Sequence, residues 1–311
     1  MEYKTVKIVF MGTPEFAVPV LEALHENFDI ICAVTKADKP KGRGGKMSAC
    51  EVKEKAISLG IPVLSPEKIR TPEFYGELSR FEADFFVTCA YGKILPEEIL
   101  SMPKYGTVNV HASLLPKYRG ANPIQRAILD GETVTGVTTM MTDIGMDTGD
   151  MLLKEEVQIG DDMTMTELSS RLSGIGAELI VRTLKGLLEG SVSRVKQNED
   201  EATFAPMLEK SDEAIDWSKD AACIKNQVRS LDEKPGAYSV IGGQKIKIFN
   251  AKALEDDSGA EPGTVIGLSK KSFTVKCGKG ALEVFEIQPE NSKRMDVRSY
   301  LNGHKIEGRF E

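Results

Sequence analysis

The chain has 311 residues, 41% of them hydrophobic and 28% charged, a balance that excludes a disordered polymer and suits two soluble domains. Its net charge of −7 argues against a protein that coats itself with nucleic acid over its whole surface. Five cysteines, odd in number and without a Cys-x-x-Cys pair, match neither a disulfide framework nor a zinc site.

The elements follow in order. Val6–Met11 is an apolar run, Gly12-Thr13-Pro14 a turn, and Glu15–His25 carries Phe16, Val20, Leu21 and Leu24 at helical spacing. Ile30–Thr35 is a second strand, and together they form a βαβ unit, which implies a parallel sheet with right-handed crossovers. The pattern predicts a helix over Ala49–Leu59, a strand at Pro62–Leu64, a helix over Pro72–Arg80, a strand at Asp84–Ala90, a short helix over Leu95–Leu100 and a strand at Thr107–His111. A helix over Pro123–Leu129, a closing pair of strands at Val134–Met141 and Met151–Val157, and a long amphipathic helix over Met165–Leu188 complete a first domain, 1–189.

Gly190–Pro206 is polar and poorly periodic, so a linker is expected over 190–206. The pattern then changes. A helix over Ala221–Arg229 precedes short β-rich segments at Ala237–Ile241, Lys245–Ala253, Gly263–Gly267, Phe273–Cys277 and Leu282–Gln288, with Gly242-Gly243 as a hairpin signal. Residues 207–311 thus read as a small β barrel or sandwich. Acidic and basic residues balance in this part, so the whole negative charge falls on 1–206.

The chemistry concentrates in two segments. In Asn109-Val110-His111-Ala112-Ser113-Leu114-Leu115-Pro116-Lys117-Tyr118-Arg119-Gly120, strand alternation puts Asn109 and His111 on one side, at the strand end where open α/β sheets bind ligands. An amide donor beside an imidazole suits acyl transfer: the first steadies a developing oxyanion and the second moves a proton near neutral pH. A strand closed by local hydrogen bonds is the bland alternative. Asp143-Ile144-Gly145-Met146-Asp147-Thr148-Gly149-Asp150 is a Gly-punctuated acidic loop. A carboxylate such as Asp147 beside His111 would orient the ring and favour its charged form. The loop lacks the spacing and terminal Glu of a calcium site, so no metal is expected.

Lys36–Lys46 interleaves Lys36, Lys39, Lys41, Arg43 and Lys46 with three glycines. By composition alone this is a solvated flexible loop; an arm ordering on a phosphate backbone is the sharper reading. Gly12-Thr13-Pro14 is not followed by a Gly-x-Gly-x-x-Gly pattern, so a nicotinamide cofactor is not expected and a structural turn is preferred. Lys270, Lys271, Lys276, Lys279, Lys293, Arg294 and Arg298 form a candidate basic patch, and Trp217 a candidate packing residue near the domain junction.

The His-x-Ser-Leu-Leu-Pro-x-x-Arg-Gly block at His111–Gly120, with Ile-Gly-Met-Asp-Thr-Gly-Asp at Ile144–Asp150, resembles the signature of the 10-formyltetrahydrofolate-dependent formyltransferases. Phe10–Leu24, Ala90–Pro96 and the Lys39–Lys46 loop resemble the branch of that family acting on methionyl-tRNA. The resemblance runs the full length. It implies an α/β fold in which a Rossmann-like, mostly parallel sheet is followed by a smaller OB-like β-barrel contacting tRNA. It also implies a catalytic trio of Asn109, His111 and Asp147. Ser113, Leu114, Leu115 and Pro116 would line the folate site, with Tyr91, Gly92, Lys93, Ile94 and Leu95 holding the pterin through their backbone. Lys39, Lys41, Arg43 and Lys46 would contact the initiator methionyl-tRNA. The implied co-substrate is 10-formyltetrahydrofolate.

A formyltransferase acting on an amino sugar nucleotide is the nearest competing reading, and a non-catalytic RNA-binding protein on the same fold is a rival from another class. The basic loop and the intact trio favour the tRNA enzyme over both. The opening segment has no signal pattern and no apolar run long enough to span a bilayer. A cytoplasmic protein with reduced thiols and no membrane partner is therefore expected, and nothing demands more than a monomer.

Overall fold

The structure is a computed structural model and describes residues 3–41 and 46–311. In chain order the first part carries β1 (Lys7–Gly12), α1 (Val18–Asn27), β2 (Asp29–Val34), β3 (Lys39–Lys41), β4 (Lys46–Ser48), α2 (Glu51–Ser58), β5 (Val63–Leu64), α3 (Pro72–Ser79), β6 (Phe85–Cys89), α4 (Glu97–Leu100), β7 (Thr107–His111), β8 (Arg119–Gly120), α5 (Pro123–Leu129), β9 (Val134–Met141), β10 (Met151–Gln158), α6 (Met165–Glu189) and β11 (Phe204–Ala205). There follow α7 (Ala221–Ser230), β12 (Ala237–Ile241), β13 (Gln244–Leu254), β14 (Val265–Leu268), β15 (Phe273–Lys276), β16 (Ala281–Pro289), β17 (Met295–Asp296) and α8 (Val297–Leu301).

The first sheet has seven strands in the order β10-β9-β7-β6-β1-β2-β5. The run from β5 through β7 is parallel, and β9 joins antiparallel to β7. The central strand explains itself by composition: Ile8, Val9, Phe10 and Met11 are all buried, because a parallel strand is covered on both faces and reads as one apolar run. On one face, Val9, Met11, Val34 and Phe86 pack with Phe74, Leu78 and Ile99 from α3 and α4. The start of α3 is specified locally, with Thr71 accepting a hydrogen bond from the Phe74 amide and Pro72 in the first turn. Along α6, Ser173 donates to the Phe16 carbonyl at 2.6 Å. There Gly176 has no room to spare: an added Cβ would stand 3.0 Å from Val110 of β7.

The chain forms two compact units, and their membership differs from a cut at 189. The first unit comprises 1–123, 134–157 and 169–205; the second comprises 124–133, 158–168 and 206–311. The reason lies in hydrogen bonds that spacing does not show. Buried Arg229 on α7 donates to the carbonyls of Gly160 and Met163, and Asp232 accepts from the Thr166 amide. Nor is 190–205 a free connector. Met151 and Val195 exchange backbone hydrogen bonds, and β11 runs parallel to β8.

The second unit is built on an antiparallel sheet in the order β12-β13-β16-β15-β14, with β17 on β16. This is the OB-like module the resemblance implies. Trp217 lies in its core, 5.5 Å from the Phe310 ring, with its indole N–H donating to Ser239. Within the candidate basic patch, Lys276 pairs with Asp256, and Arg294 pairs with Glu286 while covering Phe249. β3 and β4 form a short antiparallel ribbon in the basic loop. Arg43, and the side chains of Lys39, Lys41 and Lys46, lie outside the described residues.

Candidate active site

Parallel pairing puts the ends of β1, β6 and β7 at one edge of the sheet, so the turns after Gly12, Cys89 and His111 are neighbours. The Thr13 hydroxyl accordingly donates to the Tyr91 carbonyl at 3.3 Å. Thr88 on β6 sits beside Asn109 on β7 and donates to its Oδ1 at 2.7 Å. That bond occupies the acceptor end of the amide and leaves the Nδ2 hydrogens facing the other way.

His111 is buried, and its Nε2 donates to the Tyr118 carbonyl at 2.9 Å. A carbonyl can only accept, so Nε2 carries a proton and Nδ1 is the ring atom left for chemistry. Nδ1 faces Asp147 Oδ2 at 3.7 Å. This is within ion-pair reach and beyond a direct hydrogen bond. The turn after His111 is tied to the sheet by Thr138, whose hydroxyl donates to the Ser113 carbonyl and accepts from the Leu115 amide.

Asp147 reaches this point by an indirect route. Met141 pairs with Val108 and the Thr142 amide donates to the Thr107 carbonyl. The acidic loop therefore leaves the sheet at the end of β7 opposite His111 and returns to bring its carboxylate to the ring. The return is fastened at several places. The Gly120 amide donates to Asp147 Oδ2 at 2.8 Å, and Asp143 Oδ1 accepts from the Gly145 amide and the Thr148 hydroxyl. Asp147 itself is left-handed, with φ 55, a conformation a non-glycine residue keeps only where its surroundings enforce it.

Gly149 marks the tightest point of the loop. A Cβ there would stand 1.9 Å from the Met141 carbonyl oxygen, a backbone atom with nowhere to move. Gly149→Ala is expected to destabilise the protein by about 1–3 kcal/mol, seen as a lowered Tm in a thermal melt together with reduced turnover. An unchanged Tm and rate would contradict the packing described.

The stretch expected as a linker supplies residues the sequence reading missed. Gln197 donates to the carbonyls of Asp147 and Gly149. Arg119 donates through Nε to Gln197 and through both terminal nitrogens to Glu199. Thr203 accepts from the Tyr118 amide through its hydroxyl and from the Arg119 amide through its carbonyl. The one signal in the sequence is the acid-rich run Glu199–Glu201, which matters once Arg119 is found buried and in need of an acidic partner.

The expected folate-lining residues divide by burial. Ser113 and Leu115 are fully enclosed, and the Ser113 hydroxyl is used on the Lys117 carbonyl. They shape the turn from beneath, and Leu114 is the half-buried member. Lys154 donates to the Leu115 carbonyl, and burial holds its ammonium below the usual lysine range. In the neighbouring turn, Ala90 and Gly92 are left-handed. Tyr91 and Leu95 are buried, while Ile94 is 55% exposed. Lys93 caps the carbonyls of Pro66 and Glu67, and burial, then Lys36, lowers its pKa.

The chain is similar to known proteins over most of its length. The formyl transferase family matches residues 6–184, and the formyl transferase C-terminal domain matches 207–305. A methionyl-tRNA formyltransferase of Acetivibrio thermocellus is 49% identical over 302 residues, 96% of this chain and 97% of that one. One from Clostridium perfringens is 47% identical, covering 97% and 98%. Among solved structures, an N-formyltransferase from Helicobacter canadensis, in complex with folinic acid and dTDP-3-aminofucose, shares the fold at a TM-score of 0.67 and 19% identity, covering 94% of this chain and all of that one. Two matched domains in the right order, with relatives near half identity end to end, leave one conclusion: the chain belongs to the formyl transferase family, among the methionyl-tRNA formyltransferases.

Proposed function

We propose that this protein transfers the formyl group of 10-formyltetrahydrofolate to the α-amine of the methionine esterified to initiator tRNA, with Asn109, His111 and Asp147 as the transfer centre. The observation that carries the assignment of residues is the convergence of an oriented amide, an imidazole with one committed nitrogen and a carboxylate held at 3.7 Å. The relatives' name supplies the acceptor.

The residues present fit a folate. The turn after β6 offers an exposed apolar side chain, Ile94, above buried Tyr91 and Leu95, on a backbone turned by two left-handed residues. The adjacent turn after His111 is held rigid by Thr138. Apolar surface with backbone polar groups is what a planar heterocycle requires. Formyltetrahydrofolate supplies the activated formyl group. The protein supplies position, charge stabilisation and a proton path.

A free α-amine titrates at roughly 7.7–8.0, and esterification of the carboxyl lowers that, so much of the acceptor is already nucleophilic at neutral pH. As its nitrogen bonds to the formyl carbon, charge builds on the formyl oxygen. Asn109 Nδ2 is the preset donor for it, because Thr88 holds the other end of the amide. The nitrogen that attacked must lose a proton and the nitrogen that leaves must gain one. His111 Nδ1 is placed to exchange it, with the Asp147 carboxylate facing that nitrogen at 3.7 Å.

The basic loop 36–46 would meet the tRNA backbone. Arg43→Ala is expected to weaken tRNA binding and to lower the slope of log Kd against log salt by about one unit. Unchanged affinity and slope in a salt titration would remove that contact from the account. Within the described residues no helix is long and apolar enough to cross a membrane. We place the enzyme in the cytoplasm, acting as a monomer.

The assay for the whole reading follows labelled formyl from 10-formyltetrahydrofolate onto charged initiator tRNA, with a dTDP-amino sugar and uncharged tRNA as competing acceptors. Label on methionyl-tRNA alone is expected. Preferential transfer to the sugar, or binding of tRNA without transfer, would replace the proposed acceptor or activity.

A further inference from the structure

We propose that Gln197 is a positioning residue of the transfer site. Its carboxamide clamps the carbonyls of Asp147 and Gly149 and so keeps the Asp147 carboxylate against His111, and Arg119 and Glu199 lock the clamp from behind. The inference rests on the reading of Asp147 given above and extends it to Gln197 and Glu199, which lie outside both sequence blocks.

The geometry is fully committed. Nε2 of Gln197 donates to Asp147 O at 2.7 Å and to Gly149 O at 2.8 Å, using both amide hydrogens. Its Oε1 accepts from Arg119 Nε at 3.0 Å. The amide cannot be turned over, because reversal would set its oxygen against two carbonyls and its hydrogens against a guanidinium. Arg119 is almost wholly enclosed, its side chain 2% exposed, and its two terminal nitrogens bind Glu199 at 2.8 Å each. A paired fork of this kind fixes direction as well as distance.

The clamp acts where it is needed. Asp147 is left-handed at φ 55, and its loop starts from the far end of β7. The Gly120 amide holds the carboxylate, and Gln197 holds the backbone that carries it. With one of the two gone, the peptide at 147 can relax and swing the carboxylate away from Nδ1. A displacement of about 1 Å at a transfer site costs on the order of 10² in rate.

Gln197→Glu is the informative variant. It keeps the volume and the contact with Arg119 but has no hydrogen to give the two carbonyls. A kcat about 10²-fold lower, with the KM for tRNA and for folate near normal, is expected, and Gln197→Ala should match it. Single turnovers are then compared in an Asp147→Asn background, where the Gln197 change should have little further effect, because groups acting through one another are not additive. Glu199→Gln, at the exposed end of the chain of contacts (side chain 69% exposed), provides a second reading: it keeps one acceptor for the enclosed Arg119 and loses the paired fork, so a lowered kcat is expected, with no further effect in the Asp147→Asn background. Wild-type kcat in Gln197→Glu, or losses that multiply with Asp147→Asn, would overturn the proposal. If Asp147→Asn is itself fully active, the reading of Asp147 fails first, and the two failures are thereby told apart.

Discussion

Asn109→Ala is expected to lower kcat by ~10²–10³, the usual cost of one lost oxyanion donor, with little change in Tm. The side chain is half-buried at a strand end, where it accepts a hydrogen bond from Thr88. Its fold contribution is therefore small, and its role rests on the direction in which Thr88 aims the amide. Asn109→Asp separates donor from shape. It fills the same space and still accepts from Thr88, but it places negative charge where negative charge must develop. It should be at least as slow as the alanine variant. Thr88→Val, which keeps the amide but releases it to rotate, should fall between the wild type and Asn109→Ala. Single-turnover formyl transfer with saturating substrates measures all three, and near-normal rates in Asn109→Ala would remove the oxyanion role.

His111→Ala should remove about 10²–10⁴ of rate, the range typical of a general acid–base group. Here the imidazole is held at Nε2 by a backbone carbonyl and at Nδ1 by a carboxylate's field. His111→Gln refines the test, because its amide N–H can replace the donor to Tyr118 while nothing replaces the proton-exchanging Nδ1. The Gln variant should therefore keep the wild-type melting temperature and remain as inactive as Ala. Activity restored by Gln would mean that His111 serves the fold of the Tyr118 turn alone.

Much of the first sheet is legible because its strands are continuous apolar runs punctuated by turn residues, and burial on both faces leaves no other reading. The same logic finds the site edge: β7 ends in Asn109-Val110-His111, and alternation along a strand needs no tertiary knowledge. The remainder is hidden for a physical reason. Gln197, Glu199 and Thr203 join the site through side-chain hydrogen bonds to distant backbone and to Arg119, and such bonds impose no periodicity on the segment that makes them. The same holds for 124–133 and 158–168, which belong to the second unit although they lie in sequence among strands of the first. Their allegiance is set by contacts such as those of Arg229. A polar, aperiodic stretch between two domains reads as a connector, and here it supplies hydrogen bonds to the loop that carries Asp147.

The most direct test of the account is a crystal structure of the enzyme soaked with a stable formyl-folate. The formyl oxygen is expected about 2.7–3.1 Å from Asn109 Nδ2, with His111 Nδ1 and Asp147 on the side from which an amine approaches. A formyl group turned away from Asn109, or a folate seated clear of the turns after β6 and β7, would contradict it.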